Sequence, residues 1–165
     1  MAQPDAPLIH ATIGRHAHRR RQLELTPLCA LPSSIRFAIW CFRVAKLSAQ
    51  GSECARLRLH EVHHLLRKPG AATALERCMA LLLDNARRSL DIREFGLGSV
   101  YSSQTELDLL AALSELQAGD VARARGMLAD VVSAHLSDVV VEAEIWTAEL
   151  KEAGILLPRV RQTSH

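Results

Sequence analysis

The stretch SQTELDLLAALSELQAGD, Ser103 to Asp120, decides how this chain folds. Ser103 and Glu106 stand three apart ahead of an apolar run. That is the spacing of a capping box, in which a hydroxyl and a carboxylate satisfy N–H groups that a helix start leaves unpaired. The run continues to Ala118, and Gly119 supplies the residue that tolerates a left-handed turn at a helix end. Asp120 then caps a further helix, expected to bury Val121, Ala124, Leu128 and Val131. Two helices joined by Gly119-Asp120 form an αα-hairpin, and no second copy of that unit marks a repeat protein.

Outward from this hairpin the helical pattern repeats. Ser33 to Gln50 predicts a helix stopped by Gly51, apolar around most of its girth. Arg36, Arg43 and Gln50 recur every seven residues and, with Lys46, give it a narrow polar stripe; Trp40 is expected to be well buried. A second helix is expected from Ser52 to Arg67, with Ala55, Leu59, Val62 and Leu66 inward and Pro69-Gly70 as its stop. A third is expected from Ala72 to Leu90, and a sixth from Ser137 or Asp138 to Gly154. Ile155 to Leu157 follow as a docking tail. The fold class this predicts is all-α, an antiparallel array of about six helices.

Composition agrees. Of 165 residues 48% are hydrophobic but only 4% aromatic, so the core must be aliphatic. The domain plan is an arm over 1–31, a helical domain over 32–158 and a tail over 159–165. The arm is read as flexible, because its sequence shows no clean periodicity and is rich in proline. No secretory signal and no membrane-length apolar segment is evident, and a cytoplasmic location is expected. Cys41, Cys54 and Cys78 sit in apolar helical runs and, with Cys29, form no C-x-x-C pair, which suits buried thiols in a reducing compartment.

Charge is unevenly placed. Residues 1–93 carry 15 Lys/Arg and 7 Asp/Glu; residues 94–165 carry 5 and 11. A chain split this way suits an anionic partner at one end or a second copy of itself. The basic excess is sharpest at Arg15, Arg19, Arg20 and Arg21, interleaved with His16 and His18. These arginines are candidates for weak, nonspecific binding of an anionic partner such as nucleic acid. The competing expectation is that the basic end docks on the acidic C-terminal half. No aromatic residues interleave, so base stacking is not expected.

One catalytic motif is present. His60-Glu61-Val62-His63-His64 reads as H-E-x-x-H, in which His60 and His64 share a helix side and can hold zinc while Glu61 polarises water. The extended form is missing, so a third ligand would have to be distant: Glu76, Glu94 or Glu106. Arg56 and Arg67 share the histidine face and oppose a dication. Zincin-type enzymes also need a sheet edge, and no convincing strands are present. Gly96-x-Gly98 is too short for a phosphate loop, and G-x-S-x-G is absent. Glu142 and Glu144 read as solvated carboxylates on the outer side of the sixth helix.

Two stretches, Leu31-Pro32 through Gly51 and Ser103 through Pro158 with its Gln117-Ala118-Gly119-Asp120 turn, resemble a group of small helical bacterial proteins of unknown function, mainly alphaproteobacterial. The resemblance covers about residues 30–158 and implies a helical fold without supplying an activity. Some members carry cysteines in the loop before the fourth helix, where this chain reads Gly98-Ser99-Val100-Tyr101. The leading functional expectation is a non-enzymatic helical interaction or regulatory module with a protein partner or self-association, and no cofactor. A zinc-dependent hydrolase using His60, Glu61 and His64 is the second reading, and an accessory nucleic-acid binder the third.

Overall fold

Six helices carry the fold in the computed structural model, which describes residues 27–93 and 100–159. They are α1 (Ser33–Ala49), α2 (Glu53–Leu65), α3 (Pro69–Asn85), α4 (Gln104–Gln117), α5 (Val121–Ala129) and α6 (Leu136–Glu152). Among the described residues there is no sheet, only isolated bridges between Pro27 and Tyr101 and between Ala86 and Val132. The all-α array is therefore observed. No helix among the described residues is long and apolar enough to cross a membrane.

The start signals act as the sequence implies. The Ser103 hydroxyl accepts from the Glu106 N–H while the Glu106 carboxylate accepts from the Ser103 N–H, closing the capping box of α4. Ser52 and Asp120 cap α2 and α5. Behind α4, Gly119 takes φ +87° and the Asp120 N–H bonds the Glu115 carbonyl, a Schellman closure.

Elsewhere the boundaries move for identifiable reasons. α2 ends at Leu65 because Arg67 turns left-handed at φ 57°, letting the Lys68 N–H reach the His63 carbonyl. Pro69, expected as a stop, is the first residue of α3. Its ring pre-sets the helical φ, and a first-turn N–H has no helical partner to lose. α3 ends at Asn85 rather than Leu90. Ala86 is extended against Val132, and Arg87 Nε donates to the Ala129 and Val132 carbonyls at 3.0 and 2.9 Å. Arg87 thus closes the C-terminal end of α5. α6 begins at Leu136, preceded by His135 at φ 56°.

α3 and α6 form the most extensive helix pair; α1 and α2 flank α3, and α4 and α5 flank α6. One apolar core threads all six helices. Trp146 and Phe42 are fully buried with ring centroids 5.8 Å apart. Trp40 is only half-buried, stacked on Phe37 at the rim of α1. Val121 is exposed, because the inward face of α5 is set by Ala124 and Leu128. The tail docks as expected, with the Leu157 N–H donating to Gln117 Oε1 at 2.7 Å.

Candidate functional site

The H-E-x-x-H segment lies on α2, where Ala55, Leu59 and His63 recur every four residues and point to the core. That spacing puts His63 inside, and it was readable in the sequence. His63 Nδ1 lies 2.8 Å from the Leu59 carbonyl, and its Nε2 accepts from the Trp146 indole N–H at 3.1 Å. Burial pushes its pKa below 6.5.

The two motif histidines part company. His64 and Glu61 are exposed, and Glu61 contacts Arg58 at 3.4 Å. His60 is half-buried and meets Glu76 of α3 at 2.9 Å. Glu76 was one of the three candidate third ligands, and its other oxygen accepts from the Ser48 hydroxyl at 2.6 Å. The order Ser–Glu–His leaves the hydroxyl bonded to an acid and not to the imidazole, so it is not a nucleophile–base pair. Among the described residues no group of three or more His, Cys, Asp or Glu side chains is placed to hold a metal ion. Arg56 is paired with Glu53, turned to its own first helical turn.

The second candidate ligand, Glu106, has a different occupation. Arg43, expected on a narrow polar stripe, is 2% exposed and grips Glu106, itself 0% exposed. Arg43 Nε donates to Oε1 at 2.7 Å and Nη2 to Oε2 at 2.9 Å, while Nη2 also donates to the Tyr101 carbonyl at 2.8 Å. The Arg93 and Ser103 N–H groups fill the remaining positions on the carboxylate, at 3.1 and 2.9 Å. A carboxylate offers about four acceptor positions, and all four are used. The assembly ties α1 to the start of α4 and to the chain on either side of residues 94–99. What signalled it in the sequence was an arginine in the middle of a largely apolar helix and a carboxylate in the first turn of another.

A half-open groove of about 340 Å³ lies beside the ends of α1 and α3, lined by Lys46, Gln50, Leu83, Arg88 and Ser89 among others. Lys46 Nζ donates there to the Ile92 carbonyl at 2.8 Å. Cys41 and Cys78 are buried, and burial pushes Cys78 up to about 12, which leaves it protonated and inert. Cys54, expected inside, is exposed, as is Cys29. Glu142 is mostly covered and lies 3.6 Å from Arg77, whereas Glu144 is exposed. Arg15, Arg19, Arg20, Arg21, Glu94, Gly96 and Gly98 lie outside the described residues.

The outward side of α6 carries a short apolar line among polar and charged residues. Val141 is 53% and Ile145 45% exposed, one turn apart, and Ala148 continues the line. No protein-family model, no curated protein and no solved structure matches this chain.

Proposed function

We propose that this chain is a non-enzymatic helical interaction module, one that holds a polypeptide segment against the outer face of α6. The observation that carries the reading is the Val141–Ile145–Ala148 line on a helix whose other side is fully packed. Isolated surface hydrophobics need no explanation, but a line at i, i+4 and i+7 is the pattern of a helix face with a partner. The buried groups with the greatest chemical potential support it from the other side. Arg43, Glu106 and His63 spend their bonds within the fold. A reducing, cytoplasmic setting and a place among the small helical bacterial proteins that this chain resembles belong to the same reading.

Hydroxyl-radical footprinting of the purified full chain tests it. Leu57 and Leu65 on α2 are 60% and 76% exposed and serve as an internal reference. After correction for intrinsic reactivity and for each side chain's exposure in the structure, Val141 and Ile145 are expected to be modified more slowly than that reference. Equal rates at every protein concentration would contradict the reading. Stoichiometric zinc that is lost in His60→Ala, with peptide hydrolysis lost in Glu61→Gln, would replace it with the hydrolase.

A further inference from the structure

We infer that the segment covering α6 is the chain's own N-terminal stretch, residues 8–25. The inference rests on the module reading and names its occupant.

The first argument is charge. α6 carries Asp138, Glu142, Glu144, Glu149 and Glu152 against a single Lys151. Two further cations sit among them: Arg77 of α3 beside Glu142, and Lys68, just before α3, bonded to Glu149 and Glu152. Five carboxylates against these two cations and Lys151 leave the rim with a negative balance. Residues 8–25 carry Arg15, Arg19, Arg20 and Arg21 against a single Glu24.

The second argument is apolar content. The same stretch bears Leu8, Ile9 and Ile13 before its basic centre and Leu23 and Leu25 after it. A basic stretch with apolar ends matches an apolar line with an acidic rim. A second copy offers no such match, since pairing α6 with α6 about a two-fold axis sets carboxylate against carboxylate.

The third argument is reach. The described chain begins at Pro27, bridged to Tyr101. Twenty-six residues extend at most about 90 Å, while a body of this size has a radius of gyration near 14 Å. Every face of the molecule lies within range.

Hydrogen exchange on the full chain decides the matter. Amides of residues 8–25 are expected to exchange about tenfold or more below the free-peptide rate. Val141→Glu/Ile145→Glu and, separately, Arg19→Glu/Arg20→Glu/Arg21→Glu should each restore the free rate, with unchanged circular dichroism and a monomeric mass. Free-rate exchange in the unmodified chain overturns the inference, as does protection that survives both variants. If the arm exchanges freely while Val141 and Ile145 stay shielded in a species of doubled mass, a second copy is the occupant; the inference then falls and the module reading stands. Protection that appears only on adding a mixed-sequence RNA assigns the arginines to phosphate and also overturns the inference.

Discussion

Trp146 on α6 donates its indole N–H to Nε2 of His63 on α2, 83 positions away in the chain. An indole nitrogen only donates, so Nε2 must hold the lone pair. The imidazole proton therefore sits on Nδ1 and donates to the Leu59 carbonyl. A second proton would set two N–H groups against each other across a dry contact.

This bond has a pH signature. Burial holds His63 below 6.5, the nearby His60 adds to the effect, and the Leu59 carbonyl opposes it. Between the depressed folded value and about 6.5 the unfolded chain binds more protons than the native one. The contribution of His63 is thus complete above that window and is lost as pH falls through it. His63→Gln keeps an acceptor for Trp146 and a donor for Leu59 without titrating. Urea midpoints taken from about pH 7.5 down to about pH 5 should fall more for the parent chain than for His63→Gln. Parallel curves would refute this account of the pair.

The two tryptophans should differ in weight. Trp146 is fully buried, and Trp146→Ala is expected to cost about 3–5 kcal/mol, a value typical of large core truncations. Trp40 is half-buried at the rim, so Trp40→Ala should cost roughly half as much. Chemical denaturation reads both, and a costlier Trp40→Ala would place the centre of the core on the wrong helix.

Arg67 closes α2 in a conformation that disfavours side chains, at φ 57°. Left-handed backbone costs a residue with a Cβ about 1 kcal/mol. Glycine escapes that cost and gives back part of the gain through its freer unfolded state. Arg67→Gly should raise stability by about 0.5 kcal/mol, visible as a higher thermal midpoint. A lower midpoint would mean that the Arg67 side chain contributes more than its backbone loses.

Much of this fold was legible because its helix ends are written in local chemistry. Ser103, Glu106, Gly119 and Asp120 act within a few residues of themselves, and their roles followed from spacing alone. Pro69 was harder, since a proline between two helices can end one or begin the next, and only the left-handed turn at Arg67 decides which. The polar stripe of α1 did not tell that Arg43 would be buried, because a polar side chain on an apolar helix shows its place only once its partner is found. That partner, Glu106, lies 63 positions away and had a sufficient local role as a cap. The histidine segment misled in a similar way. The motif drew attention to His60 and His64, whereas the four-residue spacing from Ala55 and Leu59 made His63 the buried one. Sequence gave no direct sign that His63 and Trp146 would meet, because nothing local to either residue specifies the other.

The central claim is that the buried Arg43–Glu106 pair holds α1 to the start of α4. A double-mutant cycle on Arg43 and Glu106 tests it most directly. Arg43→Met strands a buried carboxylate, and Glu106→Gln strands a buried guanidinium while keeping an acceptor for the cap. Each single variant is expected to lose about 3–5 kcal/mol. The double variant should lose clearly less than the two together, giving a coupling of about 2–3 kcal/mol by urea denaturation. A coupling below about 0.5 kcal/mol, with both single variants near parental stability, would contradict the claim and reopen the pair as a functional site.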